Sequence, residues 1–266
     1  MIARLFALGL VAAPVQADAP VVLLQSTTST QNAGLFDVML PLAEAELGLD
    51  IRVVAVGTGQ ALQNAARCDG DLAIVHARAA EDAFVAQGYG TARYDLMYND
   101  FVLVGPATDP ADVSGAANVR EAFTAIARAE AAFASRGDDS GTHQAEVALW
   151  TGIADVAAVS GTWYRETGSG MGATLNLAVG MGAYTLSDRA TWLTFANPGQ
   201  HRIVFDGDPA LHNPYGVIPV SPAHCPNVNS AGARALVDWL LSASGQAAIS
   251  GHRIEGQQLF YPGAAP

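Results

Sequence analysis

Apolar positions along this chain follow two rhythms in turn. A continuous run, VVLLQS at 21–26, precedes AGLFDVMLPLAEAEL at 33–47, where Leu35, Val38, Met39 and Leu42 recur at helical spacing. The unbroken run suits a strand buried on both faces. The spaced set predicts a helix that Pro41 kinks or restarts. The pair repeats as IRVVAVG at 51–57 with TGQALQNAAR, then as LAIVHA at 72–77 with AAEDAFVAQG. Such alternation predicts an α/β fold, a mostly parallel sheet with helices on both faces.

The rhythm breaks at ARYDLMYNDFVLVGP, residues 92–106, which is too long for one ordinary strand. It fits a segment passing from one lobe to another. Beyond it the alternation resumes with NVREAFTAIARAEA, AFAS, GTHQAEVALW, MGATLNLAVGM and AYTLS. NPYGVIPV at 213–220 then reads as a strand and SAGARALVDWLLSASG as a helix. Two alternating units joined by one long strand predict two α/β lobes. Their expected bounds are 18–102 with 212–266 for the first lobe and 103–211 for the second.

The N-terminus stands outside this scheme. Arg4, the apolar run LFALGLVAA and the small residues Val15 and Ala17 come in the order of a secretory signal peptide, cut before Asp18. Residues 1–17 are therefore expected to be removed, leaving about 249 of the 266 residues in an exported, soluble chain. Arg4 leaves with the signal, so the net charge moves from -12 to -13. All 13 basic residues are arginine. A chain this acidic, with no basic stripe, argues against nucleic acid and anionic membranes as partners. Without lysine it has no P-loop and no Schiff base. Cys68 and Cys225 admit a disulfide in an exported protein, or two buried thiols. His143 and Glu146 share a helix face, but no second ligand pair accompanies them, so no metal cation is expected.

Parallel sheets bind ligands where their strands end. The residues leaving the predicted strands are STTST at 26–30, GTGQ at 57–60 and RGDDSGT at 136–142, with GSGMGAT at 168–174 opening a further helix. Each places hydroxyls or glycines before a helix. A first helical turn leaves N–H groups unpaired, and its dipole favours negative charge. Several such starts facing one cleft would bind a small anion through neutral donors. Arg136 adds a planar fork of charged donors. Capping alone accounts for one hydroxyl per helix; five consecutive Ser/Thr residues, and an arginine four residues before SGT, go beyond it. At -13 the long-range field repels anions, so attraction has to come from local dipoles and Arg136 in a closed cleft.

Other chemistries fail on particular residues. GTGQAL has Leu62 where a dinucleotide fingerprint needs Gly or Ala. DDSGT is not a nucleophile elbow, and His143, three residues on in the same helix, is poorly placed as a base for Ser140. No catalytic residue is therefore expected, with a secreted serine hydrolase as a remote alternative. An adhesive RGD needs an exposed loop, whereas this one follows a predicted buried strand.

STTST, VGTGQAL, VHA, YNDFVLVGP, SRGDDSGTH, GMGATL, YTLSDRATW and NPYGVI, in this order, resemble the tungstate-binding proteins of bacterial ABC importers (the Tup type). Ser26 stands where that family usually has threonine. The resemblance implies a two-lobed periplasmic-binding-protein fold of type II, with two hinge strands, that closes on its ligand. It implies a periplasmic location, a permease and a cytoplasmic ATPase as partners, a monomer without cofactor, and tungstate as ligand. Phosphate, sulfate or molybdate on the same fold is the alternative. The oxyanion contacts it implies fall on Ser26, Thr27, Thr28, Ser29, Thr58, Arg136, Ser140, Gly141 and Thr142. Asp138 and Asp139 are expected as cap or loop residues turned away from the ligand. Trp163, Tyr164 and Met171 are expected to pack.

Overall fold

The computed structural model describes residues 19–254 and 256–263; the expected signal peptide lies outside them. The chain opens with β1 (Val21–Thr27), α1 (Thr28–Asn32), α2 (Leu35–Leu47), β2 (Asp50–Val56), α3 (Thr58–Ala66), β3 (Leu72–Val75) and α4 (Arg78–Ala86). Here the alternation read from sequence holds, and β1 pairs in parallel with both β2 and β3. Pro41 does not restart α2, which runs unbroken through it. It sits on the exposed side, where the carbonyl it leaves unpaired can meet water. The break falls instead at Gly34, in the left-handed region at φ 73°, between α1 and α2. The apolar face of α2 is also rotated from expectation. Leu35, Phe36, Met39, Leu40 and Ala43 are buried, while Val38 and Leu42 are 45% and 48% exposed.

The long segment forms one 13-residue strand, β4 (Tyr94–Pro106). After it come α5 (Val119–Ala129), β5 (Phe133–Ser135), α6 (Gly141–Trp150), α7 (Val156–Val159), β6 (Tyr164–Glu166), α8 (Met171–Met181), β7 (Thr185–Asp188), α9 (Arg189–Thr194) and β8 (His201–Phe205). The chain returns through β9 (His212–Pro219) to α10 (Ser230–Leu241), α11 (Ala243–Gly251) and the two-residue strands β10 (Arg253–Ile254), β11 (Gln257–Gln258) and β12 (Tyr261–Pro262). The main path runs β12-β4-β9-β3-β1-β2, with β7 and β8 joining at β4. The first half of β4 pairs antiparallel with β9, including Asn99 opposite Asn213. From Phe101 on it pairs with β7 and then β8. One strand thus serves two bodies.

The burial pattern follows from this. Leu96 and Met97, early in β4, join a core with Val22, Leu24, Ile74 and Tyr215. Phe101 and Leu103, later in the same strand, join a core of Phe123, Phe133, Trp150 and Tyr184. Alternate side chains of one strand point to opposite faces, so the division comes from the change of partner strand and not from a change of period. Tyr164 is buried against Phe133 at 5.8 Å between stacked rings, Met171 is buried, and Trp163 packs against the same aromatic group. All three are packing residues, as expected. Cys68 and Cys225 are joined in a disulfide that links the end of α3 to the segment before α10.

Candidate functional site

The serine and threonine run straddles the end of β1. Thr27 closes the strand, and its hydroxyl caps α1 by accepting from Thr30 N–H at 3.4 Å. It also lies 2.7 Å from Thr30 Oγ1 and 3.1 Å from Ser29 Oγ. Thr28 is half-buried and Ser29 buried. The Ser26 hydroxyl donates to the Ile74 carbonyl at 2.7 Å, so that donor is spent on holding β1 to β3. Thr58, first residue of α3, is fully buried, and its Oγ1 has no hydrogen-bond partner.

On the other side, β5 leads into the RGDDSGT loop. Gly137 is held at φ 60°, and a Cβ there would stand 2.8 Å from Glu166 Cβ, so only glycine fits. The Arg136 carbonyl accepts from Ser169 N–H at 3.2 Å and from the Thr167 hydroxyl at 3.3 Å. The GSGMGAT segment therefore fixes the arginine's backbone. The guanidinium is 4% exposed; one NH2 donates to Asp138 Oδ2 at 2.6 Å, and Nε has no partner. Asp138 Oδ1 accepts from Ser140 N–H at 3.2 Å. Asp138 is thus a loop residue that touches the site's arginine and is not turned away from it. Asp139 accepts from the Gln144 amide at 3.1 Å. Ser140 caps α6 by accepting from His143 N–H at 3.2 Å. Gly141 and Thr142 are buried, and Thr142 Oγ1 lacks a partner.

The two sides meet through glycines. A Cβ on Gly57 would lie 3.8 Å from the Asp138 carbonyl, and one on Gly59 would lie 2.8 Å from Asp139 Oδ2. A Cβ on Gly141 would lie 2.8 Å from His76 Cε1 and 2.9 Å from the His76 carbonyl. The start of α3 therefore faces the 138–139 loop, and the start of α6 faces the end of β3. Buried donors without a protein partner (Thr58 Oγ1, Arg136 Nε and Thr142 Oγ1) come from both sides of this contact. Leaving such groups unpaired costs about 1–3 kcal/mol each; Arg93 NH2, Ser135 Oγ and His201 Nδ1 are buried without a partner as well.

His76 was absent from the set named by sequence. Its ring stacks on Tyr215 at 4.7 Å between centroids. Nδ1 lies 3.0 Å from Asn213 Oδ1 and Nε2 lies 3.4 Å from Ser29 Oγ. Burial pushes its pKa down to about 4, with the Asn213 bond opposing and the Arg136 charge adding to the fall. The ring is neutral at pH 7. A usable signal was present: VHA leaves the end of β3, where the strand-end rule already pointed. Asp188, at the end of β7, is also fully buried. Burial raises its pKa, against hydrogen bonds from the Thr191 hydroxyl and N–H and the field of Arg136.

The residues weighed for hydrolysis and for metal binding have other partners. Ser140 Oγ is engaged as a cap, and His143 Nδ1 accepts from Asp139 N–H at 3.1 Å. Glu146 is buried and accepts from Trp150 Nε1 and the Tyr164 hydroxyl, both at 2.8 Å. Among the described residues, Cys68, His224 and Cys225 form the tight cluster of metal-ligand types, and both sulfurs are consumed by the disulfide.

Two hydrophobic cores served by one strand, β4, with the start of α3 against the 138–139 loop and the start of α6 against the end of β3, suit a solute-binding protein. The PBP superfamily domain matches over residues 14–244. A tungstate-binding protein TupA from Peptoclostridium acidaminophilum is 44% identical over 92% of this chain and 86% of its own. An ABC transporter anion-binding protein of Haloferax volcanii is 47% identical, over 91% of this chain and 71% of its own. The solved TupA from Desulfovibrio alaskensis matches 93% of this chain and all of its own, with 45% identity and a TM-score of 0.80. The chain belongs to the TupA family of tungstate-binding proteins, within the PBP superfamily.

Proposed function

We propose that the protein captures tungstate outside the cytoplasm and delivers it to an ABC importer, engaging a permease whose cytoplasmic ATPase drives uptake. It makes and breaks no bond. We place the lobes at 18–102 with 212–266 and at 103–211, turning about β4 and β9, and take the protein as a periplasmic monomer released from residues 1–17. Within the described residues no helix is long and apolar enough to cross a membrane. The oxyanion is taken to lie among Thr27, Thr28, Ser29, Thr58, Arg136, Ser140, Gly141 and Thr142. Ser26 sits at the edge of that set, contributing by holding the strand end.

The observation that carries this reading is the trio of buried, unpartnered donors: Thr58 Oγ1, Arg136 Nε and Thr142 Oγ1. A tetrahedral dianion offers acceptors on every side and no proton. Sites of donors alone suit it, and a buried charge needs such pairing. Phosphate carries a proton at neutral pH that needs an acceptor. Asp138, 2.6 Å from the Arg136 guanidinium, is the residue that keeps phosphate as a second reading. Both its oxygens already accept from the protein, which favours tungstate.

Calorimetric titration of the mature chain, unfolded and refolded to strip bound ions, tests this with tungstate, molybdate, sulfate and phosphate. Tight one-to-one heat with tungstate and silence from sulfate and phosphate is expected. Phosphate binding most tightly would move the ligand and keep the fold. Silence from all four would remove the oxyanion reading.

A further inference from the structure

We propose that Thr30 is a positioning residue for oxyanion capture: its hydroxyl donates to Thr27 and so leaves the single Thr27 hydroxyl hydrogen for the ligand. The inference rests on the oxyanion reading above and adds a residue to it.

The run of five hydroxyls at 26–30 ends in a residue outside the candidate ligand set. Thr30 is fully buried in the first turn of α1, and its Oγ1 lies 2.7 Å from Thr27 Oγ1. One hydrogen bridges two hydroxyls, so one of the pair donates and the other accepts. The direction decides whether Thr27 has a hydrogen to offer.

That direction follows from what stands behind Thr30. The buried Tyr215 hydroxyl is hydrogen-bonded to the Thr30 side chain. The same phenol oxygen faces the Nδ2 groups of Asn99 and Asn213, each at 3.5 Å. An amide nitrogen only donates, so donors from β4 and β9 approach the phenol oxygen, and its own hydrogen goes to Thr30 Oγ1. Thr30 then accepts from Tyr215 and donates to Thr27. Thr27 Oγ1 also accepts from Thr30 N–H at 3.4 Å. A hydroxyl oxygen has two acceptor positions and one hydrogen. Both acceptor positions of Thr27 are filled, and its hydrogen is left over. The protein acceptor beside that hydrogen is Ser29 Oγ, at 3.1 Å. This is a neutral contact, and a charge-assisted bond to an oxyanion is about twice as strong.

The order of hydrogens thus runs from Asn99 and Asn213, opposite each other on β4 and β9, through Tyr215 and Thr30 to Thr27. A purely packing role at position 30 would be filled by valine, which has the same shape and no hydroxyl to desolvate.

The test is a double-mutant cycle on the mature chain, read by calorimetric titration with tungstate. Thr30→Val keeps the shape and removes the hydroxyl; it is expected to weaken binding about fivefold, and Thr27→Val about tenfold. The double variant is expected to bind as Thr27→Val does, because Thr30 acts through Thr27. Thr30→Ser keeps the hydroxyl without the methyl and should bind within about twofold of the wild type. Wild-type affinity in Thr30→Val, losses that multiply in the double variant, or a Thr30→Ser as weak as Thr30→Val overturns the proposal. Should Thr30→Val fail to fold, Tyr215→Phe, which removes the donor behind Thr30, takes its place in the cycle: a loss absorbed by Thr27→Val supports the relay, and no loss or one that multiplies overturns it. A wild-type chain that binds none of the four oxyanions overturns the parent reading, and this one with it. A wild type that binds tungstate beside an unchanged Thr30→Val overturns this one alone.

Discussion

Gly141 and His76 touch so closely that no side chain fits between them: a Cβ on Gly141 would stand 2.8 Å from the ring and 2.9 Å from the main-chain oxygen. A ring alone can shift for an added methyl, but the main-chain oxygen belongs to the turn leaving β3 and cannot. Alanine suits the first turn of a helix, so Gly141→Ala should leave each lobe folded. It should keep the lobes apart and weaken tungstate binding at least tenfold, about 1.4 kcal/mol. Small-angle scattering with and without tungstate checks this: the ligand-dependent compaction of the wild type should shrink or vanish.

Arg136 Nε–H is buried without a partner while its NH2 group is held by Asp138. A lysine ammonium reproduces the charge but not the planar fork that serves both partners at once. Arg136→Lys and Arg136→Ala are each expected to lose at least tenfold in affinity by calorimetry. Wild-type affinity in both variants would take Arg136 out of the site.

Two buried titrating groups give stability opposite slopes with pH. Burial raises Glu146 to about 7 from 4.5, against hydrogen bonds from Tyr164 and Trp150. Its contribution is present in full below about 4.5 and is lost as pH rises through about 7. His76, lowered to about 4 from 6.5, contributes above 6.5 and loses that contribution as pH falls through about 4. The two slopes cancel over much of the interval between. Glu146→Gln should remove one of them. The wild type's stability relative to this variant should then fall by about 3 kcal/mol between pH 4.5 and 7, read by urea unfolding at several pH values.

The Cys68–Cys225 bridge spans 157 residues of chain. Loop-closure entropy for so long a loop amounts to about 5 kcal/mol in the chain-entropy model, an upper figure. Reduction, or Cys68→Ala with Cys225→Ala, should lower the melting temperature clearly. The bridge lies outside the cleft, so tungstate stoichiometry should stay at one.

The sequence disclosed what is local and hid what is not. Strand and helix rhythm located β1 to β3, α5, α6 and α8, because each carries its own period. The helix start at Ser140 and the arginine before it were legible from the order of residues alone. The fate of Ser26 was not: its hydroxyl is taken by a carbonyl 48 residues away. Asp138 looked like a spare loop acid because only the fold turns its carboxylate back onto Arg136. The solvent face of α2 was misread because Leu35, Phe36, Met39, Leu40 and Ala43 supply a full apolar stripe without Val38 and Leu42. The two- and three-residue strands β6 and β10 to β12 have too few residues for a period to show. For Cys68 and Cys225 the residue count left pairing open, and only proximity in space settled it.

The shared strand also governs the order in which the molecule can assemble. β3 finds one of its two neighbours in β1, but the other, β9, is made some 140 residues later. β4 likewise waits for β9 before its first half is paired. The segment between them closes its own aromatic core from consecutive elements, with Leu211 completing it at the threshold of β9. During synthesis, then, the middle of the chain has its partners first, while the beginning stays an open-edged sheet until the end arrives. The sheet that the first residues begin is therefore finished only by nearly the last strand to be made, so a chain cut short before β9 leaves β3 and β4 without their shared neighbour.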